Sequence, residues 1–168
     1  MKKLIVFTLF TSLMALASTQ ISAQNGGKPA SPPADASGTI GGASVKIHYS
    51  QPSVKGRKIW GDLVPFGKVW RAGANEATTF ETDKAITFGS KTLPAGTYGF
   101  FAIPGEKEWT IIFNKVSKQW GAYDYKDSED VLRITTKSEK SKAFTEMLTY
   151  SIVNNKVHLT WENLDVKF

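Results

Sequence analysis

From Ser44 onward, apolar side chains recur at every second position rather than at every third or fourth. Val45, Ile47 and Tyr49 alternate with Lys46, His48 and Ser50, the pattern of an extended strand with one buried face. The C-terminal part repeats the pattern on both sides of Asn154-Asn155: Leu148, Tyr150 and Ile152 lead into the pair, and Val157, Leu159 and Trp161 lead away. Asparagine tolerates the positive φ angles of a two-residue hairpin turn. Such a turn predicts Ile152 opposite Val157, Tyr150 opposite Leu159 and Leu148 opposite Trp161, all on one face. A turn with Gly89 first predicts a hairpin between 85–88 and 91–93. Pro94-Ala95-Gly96 introduces a strand over 97–103, and Pro104-Gly105-Glu106-Lys107 connects it to 109–114. Phe100, Phe101 and Ile103 are apolar on both parities, which predicts a central strand or one bulged at Gly99. Strands are also predicted at 78–81, 119–123, 131–136 and 164–168; only 138–147 has room for a short helix, and its second half also fits strand.

Many short strands with frequent turns predict an all-β fold: a single-domain antiparallel β-sandwich with jelly-roll or immunoglobulin-like layering. One stretch breaks the rhythm. From Pro52 to Thr78 the apolar residues keep no steady period, and Gly56, Gly61, Gly67, Gly73 and Pro65 interrupt the chain. Segments of this kind inside a compact domain are functional or disordered. Trp60, Val64, Phe66 and Trp70 predict the first, a long ordered loop excursion packed on the sandwich.

The start of the chain follows another logic. Lys2 and Lys3 precede an apolar run from Leu4 to Ala17, and small residues then offer cleavage after Ala15-Leu16-Ala17 or Ile21-Ser22-Ala23. These are the three parts of a secretory signal peptide, read here as residues 1–23. The run is short for a membrane span, which needs roughly 20 apolar residues, so no membrane anchor is expected after cleavage. Residues 24–37, rich in Pro, Ser, Gly and Ala, read as a flexible leader, and 38–168 as the domain. The expected location is outside the cytoplasm, periplasmic or secreted.

Composition removes several classes of function. The chain has no cysteine, which excludes disulfides, thiol catalysis, cysteine-ligated metal and a lipidated cysteine. The formal net charge is +6, two units of it from Lys2 and Lys3. The remaining excess is scattered rather than gathered in a stripe, so nucleic acid is not an expected partner. No nucleophile elbow, His-Glu-x-x-His, phosphate loop or dinucleotide fingerprint is present, and no cofactor is expected.

Candidate chemistry concentrates in the excursion. Arg57 and Arg71 offer planar forks of donors suited to a carboxylate or phosphate. Trp70 can supply an apolar wall, Asn75 can orient a polar ligand, and Glu76 can serve as acid or base if burial raises its pKa. The same residues also fit an architectural role, with Arg57 or Arg71 paired to Glu76 and Asn75 holding a turn. Three functions follow. The leading one is an exported, non-catalytic binding module of the cell envelope, its partner an anionic small molecule, an acidic glycan or an envelope protein. The alternative is an envelope hydrolase or lyase with Glu76 as acid–base and Arg57 or Arg71 stabilising developing charge. The third is a surface for an envelope partner, marked by exposed Trp60 or Phe66. His48 and His158 lie on the polar parity of their strands without metal-ligand spacing, and no metal is expected. Asp124, Asp127, Glu129 and Asp130 read as a solvated turn lacking the calcium-loop pattern.

The excursion also carries a resemblance. Tyr49-Ser50-Gln51-Pro52-Ser53-Val54-Lys55-Gly56-Arg57, Gly61-Asp62-Leu63-Val64-Pro65 and Val69-Trp70-Arg71-Ala72-Gly73-Ala74-Asn75-Glu76-Ala77-Thr78 resemble the bacterial family catalogued as domain of unknown function 2911. Leu93-Pro94-Ala95-Gly96-Thr97-Tyr98, Trp109, Asn114-Lys115, Trp120-Gly121 and Asp130-Val131-Leu132-Arg133 extend the similarity from about Ser31 to Phe168. The Trp-Arg-x-Gly-Ala-Asn-Glu string is the specific part. The resemblance implies an exported all-β domain and assigns no activity.

Overall fold

Period-two alternation produces strands at 45–49 and on both sides of Asn154-Asn155. The computed structural model describes residues 29–168, so the signal segment 1–23 and residues 24–28 of the leader lie outside the described residues. Nine strands follow in order: β1 (Pro33–Ile40), β2 (Ala43–Ser50), β3 (Thr78–Thr82), β4 (Ile86–Phe88), β5 (Lys91–Leu93), β6 (Gly96–Ile103), β7 (Glu108–Asn114), β8 (Asp130–Val153) and β9 (Lys156–Lys167). All pairings are antiparallel, in the order β1-β2-β3-β6-β7-β8-β9, with β4 and β5 forming a separate hairpin. The single helical element among the described residues is a 3-10 turn, Asp127–Glu129. The fold is an all-β domain whose antiparallel sheet is nearly closed.

Closure comes from the long β8–β9 ribbon. Its turn has Asn154 and Asn155 at φ of 52° and 58°, and Ile152 pairs with Val157 and Tyr150 with Leu159, in the predicted register. The distal end of the ribbon packs on β1 and β2. Tyr150 meets Tyr49 edge-on at 4.7 Å between ring centroids, and Asn155 Oδ1 accepts the Gly41 N–H at 3.1 Å. Gly38 makes this contact possible, because a Cβ there would lie 2.7 Å from Cβ of Ile152. β9 itself bends at Glu162 (φ 54°), and Val157 and Phe168 exchange a pair of backbone hydrogen bonds.

Three expectations are corrected. Pro33–Ser37, read as the end of the leader, form the first half of β1 and pair with Ser50–Lys46 of β2. Their inward residues are alanines, too small to give a hydrophobic signal, yet Ala36 is buried. The short helix for which 138–147 has room is strand. Lys140 to Thr145 of β8 faces only Leu164 to Glu162 of β9, and the bulged residues break the alternation that marks a strand. The strand expected at 119–123 reduces to one bridge, Trp120 to Glu76, followed by a turn.

The central strands β6 and β7 are covered on both faces, as the double-parity pattern of Phe100 and Phe101 requires. Phe80, Phe100, Trp109, Ile111, Phe113, Leu159 and Trp161 belong to the main core. On the opposite face Phe101, Ile112 and Ala77 form a second cluster, against which Val69, Ala122 and Tyr125 pack. The excursion therefore contributes to both cores, since Ile59, Val64 and Ala72 are buried in the first. It is an ordered part of the domain.

Candidate functional site

The Trp-Arg-Ala-Gly-Ala-Asn-Glu string forms a loop let out of a strand. Trp70 and Ala102 of β6 exchange backbone hydrogen bonds of 2.8 and 2.9 Å, and Thr78 re-enters the same ladder opposite Phe100. Between them Arg71–Ala77 leave the sheet, and the Thr78 N–H bonds back to the Arg71 carbonyl at 3.3 Å. This is a closed surface loop with its ends together.

Its interior is over-determined. Ala72 holds a φ of 52° while fully buried, a conformation that L-residues other than Gly, Asn and Asp seldom adopt. Its carbonyl accepts the Thr78 hydroxyl at 3.0 Å and the Tyr150 hydroxyl at 2.8 Å. Burial pushes the Tyr150 phenol well above its ordinary range, with the neighbouring Tyr49 adding to the effect, so it stays a donor. Asn75 (φ 58°) donates through Nδ2 to the Ser31 carbonyl and the Ser50 hydroxyl, both at 3.2 Å. Its own carbonyl accepts Gly121 N–H at 3.2 Å, and Ala77 N–H donates to Gln119 at 3.0 Å. The loop is thus clamped to β2 on one side and to the segment around Trp120 on the other. Asn75 is a positioning residue.

Beside the loop lies an aromatic cluster. Trp60 approaches Trp109, Trp161 and Trp70 edge-on at 5.0, 5.7 and 5.9 Å, and Trp70 stacks on Trp161 at 6.1 Å. The Trp70 indole N–H donates to Gly73 at 3.1 Å. Trp70, Trp161, Arg57, Leu63, Arg71 and Asn75 line a cleft of about 330 Å³. Four of the five residues singled out from the sequence therefore share one hollow.

The fifth does not. Glu76 is exposed and lines a different hollow of about 550 Å³, with His48, Tyr49, Lys118 and Gln119. No ion pair joins Glu76 to Arg57 or Arg71 among the described residues. Arg57 instead donates through Nε to Val54 at 3.1 Å and through Nη2 to the Ser53 carbonyl, stapling its own turn.

Arg71 is the exception. Its Nε is buried and has no acceptor, and no ion pair neutralises the guanidinium among the described residues. Its Nη1 reaches toward Gly121, where a Cβ would lie 3.3 Å away. An unpaired buried donor costs about 1–3 kcal/mol, and more when charged. An incoming oxyanion would remove that cost.

A second polar network was missed in the sequence, where Asp130 read as part of a solvated turn. Its carboxylate is nearly buried: Oδ1 accepts Asn114 Nδ2 at 2.8 Å, and Oδ2 accepts the Tyr125 hydroxyl and Arg133 Nε, each at 2.6 Å. Burial, then the Asp130 carboxylate, pushes the Tyr125 phenol up to about 12. Glu129 pairs with Lys115 at 2.6 Å. Asp130 and Arg133 sit three apart, a spacing that puts side chains on opposite faces of a regular strand; the pair forms because Asp130 lies at the irregular start of β8, beside the register shift at Phe113/Asn114. Both Asp130 carboxylate oxygens are occupied by protein donors, so the network holds the 114–130 connection rather than a ligand. The histidines have separate acidic neighbours, His48 with Asp35 at 2.9 Å and His158 with Asp165 at 3.3 Å. Among the described residues no group of three or more His, Asp or Glu is arranged for a metal.

Fold and site together define an antiparallel β-domain whose one strand opens into a clamped loop, presenting an arginine at an aromatic cleft. Comparison with curated proteins and with solved structures returns no match. The chain belongs to the family described as Protein of unknown function (DUF2911), whose model matches residues 31–168.

Proposed function

We propose that this protein is an exported, non-catalytic binding domain of the cell envelope, and that its cleft takes an anionic group on Arg71. The observation that carries this reading is the buried Arg71 Nε with no acceptor, on a residue that lines the aromatic cleft. Charge-assisted bonds from a planar guanidinium to a carboxylate or phosphate are the strongest such contacts available to a protein. Export rests on the basic, apolar and small-residue order of residues 1–23. No helix among the described residues is long and apolar enough to cross a membrane. The exposure of Glu76, and its separation from both arginines, favours binding over acid–base catalysis.

The test uses the indole N–H signals of the five tryptophans in two-dimensional NMR, titrated with inorganic phosphate and with acetate. The signals of Trp70 and Trp161 are expected to shift saturably. Arg71→Ala should weaken the affinity roughly tenfold or more while the spectrum stays folded. Wild-type protein that shows no saturable shift with either anion would overturn the reading. Unfolding of Arg71→Ala would make the residue architectural, provided Arg71→Lys also fails to bind.

A further inference from the structure

Four of the five tryptophans explain themselves by packing on one another; Trp120 does not. It is 58% exposed, and Tyr123, on the same turn, is 81% exposed. Large aromatic rings left in water are informative when their backbone is fixed, and here it is. Trp120 is bridged to Glu76, and Gly121 N–H donates to Asn75. Two residues further on, Tyr125 is packed edge-on against Phe101 at 5.1 Å. The turn is held at both ends while its two rings face outward.

The Tyr123 ring flanks the unpaired guanidinium across Gly121, the residue that follows Trp120. A Cβ at Gly121 (φ 65°) would lie 3.1 Å from the Tyr123 ring and 3.3 Å from Arg71 Nη1. Only a glycine lets the ring and the cation close over the same point. The result is an exposed aromatic face at Tyr123 beside a fork of donors, with exposed Trp120 on the same turn.

We infer that Trp120 and Tyr123 are a saccharide platform, and that the ligand of this site is an acidic sugar unit within a glycan. A pyranose ring has an apolar face of C–H groups that stacks on an aromatic ring. Its own carboxylate matches the Arg71 fork. A platform whose backbone is already fixed binds without a large ordering cost. The inference rests on the anion-binding role of Arg71 and adds the sugar face to it.

Isothermal calorimetry with oligogalacturonate and glucuronate-containing oligosaccharides tests it, with a neutral galacto-oligosaccharide and inorganic phosphate as controls. Trp120→Ala and Tyr123→Ala remove exposed rings, so the domain should stay folded. Each is expected to weaken binding of an acidic oligosaccharide roughly tenfold and to leave phosphate binding unchanged. Arg71→Ala should weaken both roughly tenfold or more. Equal affinity of wild type and both aromatic variants for the acidic oligosaccharides would overturn the platform and leave the anion site standing. So would phosphate binding with no acidic oligosaccharide bound. Equal binding of the neutral oligosaccharide would overturn the acidic-sugar assignment.

Discussion

Ala72 concentrates the local strain of the candidate site. A left-handed conformation costs an L-residue roughly 1–2 kcal/mol, and Ala72 adopts it while fully buried and holding two hydroxyl donors on its carbonyl. The backbone is kept there by its neighbours rather than by its own preference, as at sites where geometry is under constraint. Ala72→Gly should therefore raise the thermal midpoint or leave it unchanged, despite the glycine's greater freedom in the unfolded chain. Ala72→Val should lower stability by about 2 kcal/mol or more, since a β-branched residue adds both strain and volume. Chemical denaturation of the two variants separates these outcomes. A large loss on Ala72→Gly would show that the methyl group's packing outweighs the strain.

At the scale of elements, the fold depends on how the β8–β9 ribbon closes over β1. The contact of Gly38 with Ile152 is tight enough that even a methyl group has no room. Gly38→Ala should destabilise the domain by about 1–3 kcal/mol through overpacking, and combining it with Ile152→Gly, which removes the clashing Cβ, should cost less than the two separate losses added. A double-mutant cycle measured by urea unfolding checks this, with a favourable coupling expected between the two changes. Strictly additive effects would place the ribbon elsewhere. The same closure explains why β1 was hidden in a leader-like composition: small residues are what a strand uses where another layer comes close.

For the molecule as a whole, the Tyr125–Asp130–Arg133 network links stability to alkaline pH. The Tyr125 phenol is raised from 10.0 to about 12 in the folded protein, by burial and then by Asp130. Its contribution is fully present below pH 10, where the phenol keeps its proton in both states. As pH rises further the unfolded chain loses the proton first, so stability falls until the folded phenol titrates as well. Unfolding free energy should decline between about pH 10 and 12, and Tyr125→Phe should flatten that decline. Urea midpoints across this range, alongside tyrosinate absorbance, make the comparison; identical slopes for the two proteins would remove Tyr125 as the cause.

The β-architecture was legible because burial of one face of a strand forces alternation, and alternation survives in residues such as Val45, Ile47 and Tyr49. The Asn154-Asn155 hairpin was legible with its register near the turn, since a two-residue turn fixes the pairings next to it until the bulges in β8 shift them. The order of the excursion could be read from its own tryptophans. Contacts between residues far apart in the chain could not. That Glu76 and Arg71 face different hollows, that Asp130 is buried, and that Trp120 alone stands outside the aromatic cluster depend on which segments meet across the sheet. Local periodicity fixes which side a residue faces within its element, but only the closure of the layers decides what waits on that side.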